Sequence, residues 1–334
     1  MLAINNRSIS SGHPTYIIAE MGINHNGQVE IARQMVESAC DCGVDAVKVQ
    51  IITADASYVK DCASYPIFKK NELNFEEWED IIRFVKHKNL DVFSTIVNPY
   101  DIQYVERFEL PAIKISSTSI TNFPLLEEIG RLKKPVIMST GMAFLSEVDE
   151  AVRYLEKQGQ PELGLLHCTS LYPTPPEHLN LKAIQMLQSA FPDYTIGFSD
   201  HTVGYHCAVA AVACGASIIE KHFTMDKQMN GPDHSFSATP DELKTLVQAI
   251  REVESALGST RKQPAPKELS LRKEFQRSLV AAVDIKQGQR LTPELLVPKR
   301  TPKKGIKPKH LDIVCGRRVQ SDIPKDSPII WDLI

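Results

Sequence analysis

The sequence predicts an eightfold βα barrel followed by a small, mostly β domain. Three observations lead there. Short apolar runs alternate with amphipathic segments eight times within roughly the first 260 residues, the count and length of such a barrel. No glycine-rich dinucleotide fingerprint follows the first strand, and eight parallel strands would be many for a doubly wound open sheet, the alternative fold. Beyond residue 258 the pattern changes to short β runs separated by turn signals.

The first strand is read at 16–19 and ends at Glu20. Helix 29–42 follows, with Ile31, Met35, Val36 and Ala39 on one face and Gly43 as its stop. The second strand is 45–51. An irregular polar stretch precedes helix 75–88, where Phe75, Trp78, Ile81, Ile82 and Val85 recur at helical spacing. The alternation continues with strands at 90–95, 112–116, 135–140, 163–168, 195–199 and 217–223. Their helices are read at 101–108, 122–132, 146–157, 180–190, 204–214 and 240–257. Residues 1–258 therefore read as the catalytic barrel and 278–334 as the second domain. Residues 259–277, polar, basic and interrupted by prolines, read as a linker. In the second domain two turn signals, I-K-Q-G and I-P-K-D-S-P, recur in corresponding positions. A domain of this size is small for an independent core, so it is expected to pack on something else.

The chain has 334 residues, 43% hydrophobic and 24% charged, an ordinary globular balance. No apolar run approaches the ~20 residues of a membrane span, and the amino terminus lacks a signal-peptide pattern. Seven scattered cysteines without a C-x-x-C pair suit free thiols in a reducing cytoplasm. Residues 261–309 hold fourteen Lys/Arg against four Asp/Glu. That stretch is either a solvated linker or an attractor of anions, but without interleaved aromatic residues it is not a nucleic-acid surface.

In eightfold barrels the site is built at the carboxyl ends of the strands. There the sequence offers Glu20; Lys48 and Gln50; Thr95; Lys114, Ser116 and Ser117; Ser139 and Thr140; His167 and Thr169; Ser199, Asp200 and His201; Glu220, Lys221 and His222. This is far more polarity than a structural barrel end requires, and it reads as an enzyme. His201 and His222 end neighbouring strands beside a carboxylate, so they read as ligands of an open, Lewis-acidic metal site. Lysines pointing into a barrel mouth either form imines or bind anions. Two of them with hydroxyls at Thr95, Ser117, Ser139 and Thr140 favour a phosphate or carboxylate cradle.

The motifs A-E-M-G-I-N-H-N-G (19–27), K-I-S-S (114–117), S-T-G-M (139–142), H-C-T-S-L-Y-P-T-P (167–175), G-F-S-D-H-T (197–202), E-K-H-F-T (220–224) and G-P-D-H (231–234) together resemble the sialic acid (nonulosonate) synthases. The resemblance spans essentially the whole chain. It implies condensation of phosphoenolpyruvate with an N-acetylmannosamine-type aldehyde and release of phosphate. It further implies Mn²⁺ or Mg²⁺ on His201 and His222, and phosphoenolpyruvate on Lys48, Thr95, Lys114, Ser117, Ser139 and Ser170. Glu20 would face the reacting centre, and Tyr172 and Asp233 would contact the sugar. Residues 278–334 resemble the family's antifreeze-like (SAF) domain, which implies a domain-swapped homodimer in which Arg300 reaches the partner's site. Ser170 departs from relatives that carry Asn there.

N-acetylneuraminate is the first expectation for the product, and legionaminate, from a 2,4-diacetamido-2,4,6-trideoxymannose, is the alternative. Loop 53–73, with Tyr58, Tyr65 and Phe68, is expected to line the end of the sugar where the two differ. Two further classes make distinct demands. An imine-forming aldolase using Lys48 or Lys114 would be trapped by borohydride, and a non-catalytic carbohydrate-binding protein would release no phosphate.

Overall fold

The computed structural model describes residues 2–160 and 162–334. Met1, the first residue of the expected catalytic domain, and Pro161 lie outside them. The chain divides into two compact units, Met1–Gly258 and Ser259–Ile334.

The first unit opens with an antiparallel hairpin, β1 (Leu2–Ile4) and β2 (Arg7–Ile9), which the sequence reading did not include. The barrel strands follow: β3 (Tyr16–Gly22), β4 (Ala46–Val49), β5 (Asp91–Ile96), β6 (Ile113–Ile115), β7 (Val136–Ser139), β8 (Leu163–Cys168), β9 (Thr195–Asp200) and β10 (Ile218–His222). They pair in parallel in that order, and β10 returns to β3, closing the barrel. The helices are α1 (Val29–Cys42), α2 (Ala54–Ser57), α3 (Tyr65–Asn71), α4 (Phe75–His87), α5 (Ile102–Arg107), α6 (Phe123–Arg131), α7 (Leu145–Lys157), α8 (Ala183–Ala190), α9 (His206–Ala213) and α10 (Pro240–Leu257). The expected (β/α)8 barrel is therefore what forms, with two short helices inside the stretch read as irregular.

Side chains alternate across each strand, and this period organises the interior. Ile18, Ala46, Phe93, Ala112, Ile137, Leu166 and Ile218 are buried together with Leu2, Ile4 and Ile9 of the hairpin, forming an apolar floor. Two positions further along each strand come Glu20, Lys48, Thr95, Lys114, Ser139, Cys168, Ser199 and Glu220, all buried. The alternate residues of each strand, on the outer face, pack against the helices in the main core. Glycine supplies the eighth floor position. A Cβ at Gly197 would lie 2.5 Å from Leu166 Cδ2 and 2.6 Å from the Ile218 carbonyl oxygen.

Beside the mouth, Asp101 is buried. It accepts hydrogen bonds from the Thr53 hydroxyl (2.9 Å) and the Asn98 amide (2.5 Å). Asn98 also donates to Ser57 (2.7 Å). This clasp ties α2 to the turn after β5.

In the second unit, α11 (Pro266–Phe275) occupies most of the stretch read as linker. Its composition hides it, because its apolar residues, Leu269, Leu271 and Phe275, are exposed and form no single stripe. Proline in the first turn and the Glu268 carboxylate on the Ala265 N–H cap it. The β11 (Ser278–Ala281) and β12 (Leu296–Lys299) strands pair antiparallel, and α12 (Leu311–Val314) follows. The repeated turn segments meet: Ile285 and Ile323 exchange backbone hydrogen bonds of 2.9 and 2.8 Å. Gly288 and Asp326, three residues on in each, both adopt positive φ.

Two predictions follow from this packing. Gly197→Ala places a methyl against a backbone carbonyl that cannot swing away, and should destabilise the barrel by on the order of 2 kcal/mol in urea unfolding. Burial pushes the Asp101 carboxyl up to about 6 despite its hydrogen bonds. A raised acid favours the folded state while protonated, so this group's contribution is complete below about pH 4 and is lost as pH rises through about 6. Relative to Asp101→Asn, the wild-type protein should therefore lose up to about 3 kcal/mol between these limits. A difference in unfolding free energy that stays constant with pH would show the carboxyl to be ionised throughout.

Candidate active site

The polar layer is a network of opposed charges standing on the apolar floor. Lys48 Nζ lies 2.8 Å from Glu20 Oε2 and 3.2 Å from Glu220 Oε2. Lys114 Nζ lies 3.7 Å from Glu220 Oε1 and donates to Ser139 Oγ at 2.6 Å. Ser199 donates to Glu220 Oε1 (2.9 Å), and Gln50 Nε2 to Glu20 Oε1 (3.0 Å). Burial draws the Lys48 ammonium down to about 7, against the pull of Glu220. Burial alone would raise Glu220, but Lys114 and Lys48 outweigh it and hold the carboxyl at about 2. Glu20 Oε2 and Glu220 Oε2 meet the Lys48 ammonium, and Thr95 Oγ1 has no hydrogen-bond partner among the described residues. The layer thus holds its charges by ion pairing and leaves the Thr95 hydroxyl free for a ligand.

A second cluster adjoins it. Ser117 Oγ accepts from the Gly141 N–H (3.0 Å) and donates to Cys168 Sγ (3.5 Å). Ser170 Oγ lies 3.9 Å from the same sulfur. A Cβ at Gly141 would come within 2.3 Å of Ser170 Oγ and 2.8 Å of Ser117 Oγ, so only glycine leaves this hydroxyl corner open. Cys168 also lies 3.9 Å from His201 Nδ1, joining the corner to the histidines.

The rings of His201 and His222 have centroids 5.3 Å apart. His201 Nδ1 sits 2.9 Å from the Thr169 carbonyl. A carbonyl can only accept, so this fixes the proton on Nδ1 and presents Nε2. His222 Nδ1 is buried without a hydrogen bond, 4.0 Å from Asp233 Oδ2. The register slips between Glu20 and Gly22, and Gly22 takes a φ of 54°. A Cβ at Gly22 would lie 3.4 Å from Glu20 Oε1, 3.5 Å from Asp233 Oδ2 and 3.6 Å from His222 Nδ1. Among the described residues no three His, Cys, Asp or Glu side chains form a ready-made metal cage. Two imidazoles, one with an unpartnered nitrogen, beside carboxylate oxygens do fit a divalent cation that keeps open positions. Tyr172 leans over His201 at 4.3 Å between ring centroids and packs on Phe236 at 5.6 Å.

The barrel residues to which the family resemblance gives a role fall in these clusters. Arg300 belongs to the second unit, where its guanidinium lies 4.9 Å from the Phe275 ring centroid. Some strand-end residues in the initial inventory face the other way. The Thr140 hydroxyl donates to the Leu166 carbonyl (2.9 Å), and His167 Nε2 lies 2.6 Å from the Leu179 carbonyl, so neither joins the cradle. Asp200 pairs with the fully buried Lys221 (2.9 Å) and accepts from the Thr202 N–H, bracing the turn that carries His201. His25 orders the loop after β3, accepting from the Gly27 N–H (3.1 Å) with its ring edge-on to Trp78. Cys168, Gly141 and Gly22 received no role from the sequence. Cys168 was legible: it sits two residues before Ser170 and two after Leu166, on the inward face. The glycines mark close approaches that only coordinates reveal.

The NeuB family model matches residues 35–262, and the SAF domain model matches 276–334. An uncharacterised protein of Methanocaldococcus jannaschii is 43% identical over 99% of this chain and 98% of its own. The N,N'-diacetyllegionaminic acid synthase of Campylobacter jejuni is 39% identical over 94% of this chain and 98% of its own. The crystal structure of N-acetylneuraminic acid synthetase from Leptospira borgpetersenii, in complex with citrate, superposes with a TM-score of 0.76 at 32% identity, covering 82% of this chain and 96% of that one. Closed barrel, charged layer and matched domains converge: the chain belongs to the NeuB family, the nonulosonic acid synthases, and carries a SAF domain.

Proposed function

We propose that this protein condenses phosphoenolpyruvate with the open-chain aldehyde of an unphosphorylated N-acylated mannosamine, consuming water and releasing phosphate to give a nonulosonic acid. N-acetylmannosamine, giving N-acetylneuraminate, and its diacetamido-trideoxy analogue, giving legionaminate, are the two acceptors within this class. The reading is carried by one observation: two buried lysines among the hydroxyls of Thr95, Ser117 and Ser139 share the barrel mouth with a pair of histidines.

Lys48, Lys114, Thr95, Ser117, Ser139 and Ser170 would hold the phosphate and carboxylate of phosphoenolpyruvate, the lysines as point charges. His201 and His222 would hold Mn²⁺ or Mg²⁺, which when bound polarises the aldehyde oxygen. The enol carbon then bonds to the aldehyde carbon, water adds at the carbon bearing the phosphate ester, and the C–O bond to phosphate breaks. Glu20, held by Lys48 and Gln50, is placed to orient the sugar or take the proton of the attacking water. Tyr172 and Asp233 would grip the sugar, and Arg300 of a partner subunit's SAF domain would bind its N-acyl group in a domain-swapped homodimer. No helix among the described residues is long and apolar enough to cross a membrane, and the cysteine pattern suits a cytoplasmic setting.

Phosphate release from phosphoenolpyruvate should depend on an N-acylated mannosamine and stop with EDTA. His201→Ala should lose at least about 100-fold in kcat/KM, and full activity of that variant in EDTA-treated buffer would sink the metal assignment. The lowered Lys48 favours a second reading, imine chemistry, which requires borohydride to inactivate the enzyme with substrate present. Gly141→Ala should raise the KM for phosphoenolpyruvate more than ten-fold, roughly the loss expected when buried hydroxyls are displaced from a bound anion. Its KM for the sugar should move little.

A further inference from the structure

The strands that carry the two histidines lose their backbone pairing just below them. The β9–β10 ladder runs through Phe198–Ile219 and Ser199–Glu220, and Asp200–Lys221 is its last rung. Beyond it β10 stays beside β3, with His222 opposite Glu20. The chain after β9 turns instead toward the loop after β8, where the His201 carbonyl accepts from the Thr174 N–H (2.9 Å). The backbones of the two histidines are thus held by different neighbours.

A pair of side chains takes over where the ladder stops. Lys221 Nζ lies 2.9 Å from Asp200 Oδ2 and donates to the Thr202 carbonyl as well. Asp200 Oδ1 accepts from the Thr202 N–H (2.9 Å). The tie leaves the residue before His222 and grips the residues on both sides of His201. Both side chains are fully buried, and no other ion pair outside the mouth is so among the described residues. Two apolar side chains of similar volume would stabilise the fold about as well, but they could not hold the N–H and carbonyl of Thr202. What the charges add is position.

Resting on the cation reading above, we infer that Asp200 and Lys221 are positioning residues: they set the spacing of the His201 and His222 rings, 5.3 Å between centroids, and through it the affinity for a divalent cation. Bonds from imidazole nitrogen to such a cation are short, about 2 Å in zinc sites, so two rings share one ion only within a narrow range of separations. Among the described residues no third His, Cys, Asp or Glu side chain completes a cage that could correct a drift. Alternation along each strand turns Asp200 and Lys221 away from the mouth, so neither is itself a ligand.

The test titrates Mn²⁺ into the full-length protein without substrates and follows free Mn²⁺ by electron paramagnetic resonance. Asp200→Asn combined with Lys221→Met removes both charges together, so neither is left buried alone, and urea unfolding should stay near the wild-type midpoint. The Kd for Mn²⁺ should rise at least about ten-fold, the loss typical when groups that orient metal ligands are removed. The KM for phosphoenolpyruvate should change little, and excess Mn²⁺ should restore kcat. Asp200→Asn alone, which keeps an acceptor for the Thr202 N–H but gives up the charge, is the second variant and should raise the Kd in the same direction. A folded variant that binds Mn²⁺ as tightly as the wild type, whatever its stability, would overturn the positioning role. A wild-type protein that binds no Mn²⁺ would instead overturn the cation reading itself.

Discussion

Everything at the mouth of this barrel depends on keeping four charges dry. Glu20, Lys48, Glu220 and Lys114 are buried, alternate in sign and sum to zero. Desolvating such groups is expensive unless each faces a partner, and removing one leaves a buried charge uncompensated. The strand period sets them in a single layer, and the floor of aliphatic side chains two residues below denies them water from beneath. A low local dielectric strengthens each pairing. The same environment would strengthen their grip on a bound anion, which is how a neutral cluster can serve as an anion site.

Around this layer the protein separates positioning from contact. Lys221 and Asp200 lie on the outer face of β10 and β9 and never enter the mouth, yet they hold the turn that carries His201. The Asp101 clasp does the same for the segment that follows the strand bearing Lys48. Glycines do the opposite work, by leaving room. Gly141 and Gly197 each stand where a methyl group would strike a side chain or carbonyl that the site or floor requires, and Gly22 takes the positive φ that the register slip beside Glu20 needs.

The barrel was legible because its strands and helices repeat with clear periods, and apart from Thr140 the strand-end residues given a role lie at the mouth. Period-two alternation also separates Cys168 from His167, and Glu220 from Lys221. Other features left no such trace. The hairpin of β1 and β2 is too short to show a period, and the apolar residues of α11, Leu269, Leu271 and Phe275, form no single stripe. The approach of loop 230–232 to the turn after β3 joins residues some two hundred positions apart, which no local pattern encodes.

The hairpin gives the site a further property. Leu2, Ile4 and Ile9 are fully buried against the floor, and Leu2 reaches within 3.1 Å of the place a Cβ at Gly164 would take. The barrel is therefore a blind chamber rather than a passage. Whatever settles on the charged layer must arrive through the same opening by which it leaves. The residues that impose this single entrance are at the opposite end of the barrel from the charged layer.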